Sequence, residues 1–194
     1  VLMIFRKKII FISGFTLMEL MVTIAIIAIM SSIAIPNMIG WLPDYRLRSA
    51  ARDIVSCMQQ AKLRAVEKNA NAVIIFKFQN NQSRYIAWVD NGMGTVTIAG
   101  VVVNAAGNGL PDTNAGEVIF EQGVLPAGIS FYRNTTFVAN TFGFNSMGFP
   151  IHTSTSLGNG TVYIKNNKSN YRAIIVNTAG NIRVQKSSNG ISWN

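Results

Sequence analysis

The chain has 194 residues, 49% of them apolar, and carries 17 Lys and Arg against 8 Asp and Glu, a net charge of +9. A single cysteine and a single histidine exclude an intrachain disulfide and a Cys/His zinc site, and no Ser-His or Cys-His pairing has supporting spacing. The length suits one anchor helix and one globular domain of roughly 125–150 residues.

Residues 1–14 read as a basic leader carrying Arg6, Lys7 and Lys8, without which the net charge is +6. Residues 15–35 are a 21-residue apolar run with one charge, Glu19. At about 1.5 Å per residue, such a helix spans roughly 30 Å, the hydrocarbon thickness of a bilayer. A carboxylate inside a span is costly and marks function. A cut after Gly14 would create an α-ammonium on Phe15, one turn from Glu19. That amine, on the same or a neighbouring subunit, is the natural partner for the carboxylate. A secretory signal peptide fits worse, because no small-residue cleavage site is evident before Pro36. The basic leader stays cytoplasmic, which puts everything after Pro36 on the far side of the membrane.

One long helix is expected over 16–68. Residues 15–36 form its transmembrane and assembly part, and the amphipathic second half belongs to a segment spanning 37–71. A kink is expected at Pro36, which lacks a backbone donor, and a second weak point at Pro43 near Gly40. From Asp44 onward, Leu47, Ala51, Ile54, Met58, Ala61 and Ala65 recur at steps of four and three, one stripe of a helix. Arg48, Arg52, Gln59, Gln60, Arg64 and Lys68 take the opposite side. Cys57 sits at a helical core position and reads as a small buried hydrophobe. Asn69-Ala70-Asn71 ends the helix.

The period then changes to two, and residues 72–194 read as a β-rich domain. Strands are expected at 73–79, 84–89, 96–103, 117–121, 128–133, 135–139, 142–144, 160–166, 172–177 and 182–185. Residues 105–116, rich in Gly and Asn, read as a loop. A helix followed only by short strands gives an α+β fold with antiparallel sheets. In the last hairpin, Thr178-Ala179-Gly180 is a three-residue loop with glycine at the left-handed position. It pairs Val176 with Ile182, Ile174 with Val184 and Arg172 with Lys186, and sets Arg183 opposite Ile175.

Gly14 followed by Phe15-Thr16-Leu17-Met18-Glu19 resembles the processing site of type IV pilins and type II secretion pseudopilins. That resemblance implies cleavage after Gly14 by a prepilin peptidase, methylation of Phe15, and assembly roles for Glu19 and Pro36. The segment from Gln60 to Asn69 with Ala72-Val73-Ile74 is similar to the helix end and first strand of the GspH/FimT group. So are Trp88-Val89-Asp90-Asn91-Gly92, Leu125-Pro126-Ala127-Gly128-Ile129, Phe142-Gly143-Phe144-Asn145-Ser146-Met147-Gly148 and the terminal hairpin from Asn177 to Val184. In DNA-binding FimT-type members that hairpin reads Gly-Arg-x-Arg. Here Gly180 and Arg183 fit, but Asn181 replaces the first arginine.

The leading functional expectation is a minor pilin or pseudopilin of a type II secretion pseudopilus or type IV pilus, in its tip or initiating complex. It is expected first in the bacterial inner membrane as a single-pass protein with a periplasmic domain, then in the filament. Its partners are the peptidase, other pilins and the membrane. The alternative is DNA capture. Residues 122–194 hold Arg133, Lys165, Lys168, Arg172, Arg183 and Lys186 and no acid, and the last five could contact phosphates. Tyr171 or Trp193 could stack on bases, although packing is the better reading. No enzyme is expected, since no nucleophile, base and orienter assemble. No cofactor or metal is expected. Asp112 and Glu117 lack EF-hand spacing and read as an ordinary loop.

Overall fold

The computed structural model describes residues 14–79, 82–90, 95–98, 101–104, 117–132, 136, 140–151 and 158–193. Residues 1–13 of the leader, the loop with Asp112, most of the expected strand 135–139, Arg133 and His152 lie outside these residues. The chain divides into two compact units, Val1–Trp41 and Leu42–Asn194.

Helix α1 runs over Leu17–Lys68 without a break at Pro36, Gly40 or Pro43. Around Pro36, polar side chains take up backbone carbonyls. Ser32 Oγ donates to Ile29 O at 2.7 Å and Asn37 Nδ2 to Ile33 O at 3.2 Å. In the first unit the apolar side chains stay exposed around the helix, with Leu17, Met18, Ile24, Ile29, Met30 and Ile33 all more than half exposed. In the second unit the expected stripe is buried from Leu47 to Ala65, and Ala50 and Cys57 join it. The helix closes as read. Asn69 adopts a left-handed φ of 49°. Its amide donates to Val66 O at 3.3 Å and that of Ala70 to Ala65 O at 3.1 Å, a Schellman cap.

Eleven strands follow among the described residues. One antiparallel sheet orders β5 (Ile119–Val124), β2 (Gln82–Asp90), β1 (Asn71–Gln79), β7 (Thr141–Phe144) and β8 (Pro150–Ile151). The second orders β11 (Ile182–Ser187), β10 (Tyr171–Val176), β9 (Gly160–Asn166) and β6 (Ile129–Phe131). The strand expected over 96–103 is two strands, β3 (Thr95–Ile98) and β4 (Val101–Asn104), paired with each other. The strand expected at 117–121 begins two residues later and runs to Val124.

The helix stripe is buried with residues from both sheets. Ile74, Phe76, Phe142 and Phe144 come from the first, and Val162, Ile164, Ile174 and Val176 from the second. A smaller cluster of Val73, Ile75 and Trp88 gathers the alternate residues of β1 and β2. Because the second unit carries this core by itself, a chain starting near Leu42 should be soluble and monomeric with a cooperative melt. Aggregation without such a transition would show that the first unit belongs to the fold.

Three hairpin loops share one design. In each an Asn side chain accepts amides two and four residues later: Asn145 from Met147 and Phe149, Asn166 from Lys168 and Asn170, Asn177 from Ala179 and Asn181. The residue before the last has positive φ in every case, Gly148, Ser169 and Gly180. Asn closes the turn through its own carbonyl, which is why it opens each loop.

Candidate functional site

Two places carry function-bearing residues, one in each unit. In the first, Thr16 caps α1: the Glu19 amide donates to Thr16 Oγ1 at 3.1 Å and the Leu20 amide to Thr16 O at 3.1 Å. Thr16-Leu17-Met18-Glu19 fits the Ser/Thr-x-x-Glu spacing of a helix start, a cue that the sequence reading passed over. Glu19 lies in the first turn, where the helix dipole favours a negative charge. Phe15 and Glu19 are exposed on this end, and Pro36 is exposed further along. The helix is long and apolar enough to cross a membrane.

In the second unit the terminal hairpin forms in the expected register. Arg172 pairs with Lys186, Ile174 with Val184, Ile175 with Arg183 and Val176 with Ile182. Gly180 has φ +76°, and Lys62 Nζ donates to its carbonyl at 3.4 Å. At the other end, Arg172 and Lys186 open onto a cleft of about 410 Å³ against the helix, lined also by Asp44, Arg48, Asn170, Ser187 and neighbouring polar residues. Asp44 is held at both oxygens, by Arg48 Nη2 at 3.1 Å and Asn170 Nδ2 at 3.2 Å. Arg172 Nε is buried without a partner. Burial lowers the Arg172 pKa, and repulsion from Arg48 and Arg52 adds to that against the pull of Asp44.

The five cations proposed from sequence therefore do not form one patch. Arg172 and Lys186 share the sheet face of Ile174 and Val176, which belong to the helix-packed core. Arg183, one residue off that pattern, takes the other face. Lys165 lies opposite Tyr171 in β9, and its Nζ sits 5.6 Å from the Tyr132 ring centre. Lys168 is exposed in the β9–β10 loop. Tyr171 packs edge-on against Tyr132 at 4.5 Å and Trp193 against Tyr163 at 5.4 Å, so both aromatics fill packing roles.

Glu117 is buried, and no group of three potential metal ligands forms among the described residues. Cys57 is buried in the helix stripe. Burial first, and the charge of Glu121 second, push its thiol up to about 12. The thiolate is the reactive form, so the native chain should resist a thiol reagent at pH 8 and react fully once unfolded. Rapid labelling of the native protein would contradict this placement.

Residues 50–180 match the family described as type II transport protein GspH, and residues 12–35 match the prokaryotic N-terminal methylation motif. Two crystal forms of the type IV minor pilin FimU of Pseudomonas aeruginosa PAO1 are similar in structure. One is 14% identical with a TM-score of 0.42, covering 71% of this chain and 91% of that one. The other is 15% identical with a TM-score of 0.44, covering 73% and 89%. No curated protein matches the sequence. The GspH match covers most of the chain and includes the helix stripe from Ala51 to Ala65, the Leu125–Gly128 turn, and β10 with the loop that follows it to Gly180. The chain belongs to the GspH family of type II transport proteins, and is a pilin-type protein with an N-terminal methylation motif.

Proposed function

We propose that this protein is a minor subunit of a type II secretion pseudopilus or type IV pilus, and that it enters the tip or initiating complex. A prepilin peptidase removes the leader after Gly14, and Phe15 becomes the methylated N-terminus. Before assembly the apolar half of α1 holds the chain in the inner membrane, with the second unit in the periplasm. In the filament the same half packs against neighbouring helices. The observation that carries this reading is a capped helix start bearing Glu19, followed by a span whose apolar side chains are exposed.

The separation of roles follows from the two units. The first has exposed apolar surface and one carboxylate, which suits a generic helix bundle. The second has a polar surface that can choose a neighbour. Fractionation tests the reading: in a host with the matching filament system, the chain should appear at low copy in sheared filaments. Its confinement to the membrane under assembling conditions would contradict the proposal.

DNA capture is the second reading, favoured by the convergence of Arg172 and Lys186 at one cleft. If phosphates bind there and along Arg183, Arg183→Ala with Lys186→Ala should lower the log-log salt slope by up to about 1.8. An unchanged slope in a retention titration would sink that reading while leaving the filament role intact.

A further inference from the structure

We propose that the cleft between α1 and the open end of the β10–β11 hairpin is a socket for one carboxylate, an Asp or Glu side chain of a neighbouring subunit. This deepens the filament reading and rests on it. The cleft gathers three cations, Arg48, Arg172 and Lys186, around a single acid, Asp44. Both Asp44 oxygens are already engaged, by Arg48 and Asn170. Arg172 is left with a buried Nε that has no acceptor. The cations of Arg172 and Lys186 both line the cleft, and an incoming carboxylate can pair with them there.

The anion must come from outside the β-domain's second half. No Asp or Glu follows Glu121 in the sequence. Glu67 is occupied by Arg64 and Lys68 at the distant end of the helix. The lining favours a polar group, because Asn170, Ser187 and Asn189 border the cleft beside the cations. A planar carboxylate can pair with a guanidinium and a neighbouring ammonium through charge-assisted bonds.

A nucleic-acid backbone fits less well. The cations that would extend a phosphate track lie elsewhere, Arg183 on the other face of the sheet and Lys165 over the Tyr132 ring. A neighbouring acid needs no track. Such a contact selects which subunit sits beside this one, because a wrong neighbour leaves the cations unpaired.

The test uses the full chain in a host that assembles the filament. A photoreactive benzoylphenylalanine replaces Ser188, at the cleft rim, and sheared filaments are irradiated. The expected product is a cross-link to one other subunit, with an Asp or Glu in the linked peptide. Lys186→Gln, or neutralising that acid, should lower the yield about tenfold, the loss of one charge-assisted contact. Lys186→Glu combined with the acid changed to Lys should restore it. Lys186 is exposed, and an unchanged melting temperature separates its effect from misfolding. A chain present in filaments without a subunit adduct, with an adduct indifferent to both charges, or with an adduct to DNA overturns the socket alone. A chain absent from filaments overturns the filament reading, and the socket with it.

Discussion

Glu19→Ala should be inserted and processed like the parent chain, yet be missing from sheared filaments. Insertion should improve slightly, since an ionised side chain in a span is costly, and less so near its end than at its centre. Assembly should fail because the α-ammonium of a neighbouring Phe15 is left without its counter-charge in an apolar bundle. Removing one partner of a buried pair costs about 3–5 kcal/mol. The substitution spares the helix start, because Thr16 Oγ1 is bonded by the Glu19 backbone amide and not by its side chain. Glu19→Gln separates charge from hydrogen bonding: it should also fail if charge sets the register. Parent-level incorporation of either variant would show that Glu19 has no assembly role.

Phe142→Ala should be the most damaging change in the β-domain. Phe142 is fully buried, sits opposite Ile74 of β1, and meets Phe144 edge-on with ring centres 5.0 Å apart. Both rings belong to the core that also holds the helix stripe. Large-to-small truncation of such a ring costs about 3–5 kcal/mol, a large share of a domain's net stability. At roughly 3 °C per kcal/mol for a domain of this size, the melting temperature should drop by about 10–15 °C. Phe149→Ala, one loop away and 42% exposed, should change it little. Equal effects of the two would mean that the core is misplaced.

Local signals in the sequence were readable and distant ones were not. The helix stripe from Leu47 to Ala65 appears as written, because a 3.6-residue period needs only one element to declare itself. The terminal hairpin register also appears as written, since the loop length and Gly180 determine it within a dozen residues. The division into two sheets was not legible. It depends on β1 pairing with β7, whose residues Ile74 and Phe142 are far apart in the chain and carry no matching signature. Strand β8 went unread because Pro150-Ile151 is too short to show a period.

The same reason explains the cleft. Asp44 and Asn170 meet across 126 residues, so a scan for motifs sees a helical acid and a loop amide with nothing to join them. The basic half was visible as composition, and the hairpin register read from the loop already set Arg183 on the face opposite Arg172 and Lys186, because alternation acts within a dozen residues. Arg172 and Arg183 look alike in the sequence, and the register sends them to opposite sides.

The most direct measurement is the N-terminal mass of this chain recovered from sheared filaments. The account predicts a peptide that begins at methylated Phe15, and retention of the leader when Gly14 is replaced by a bulky residue. A parent chain that keeps residues 1–14 in a host with an active prepilin peptidase would contradict the account.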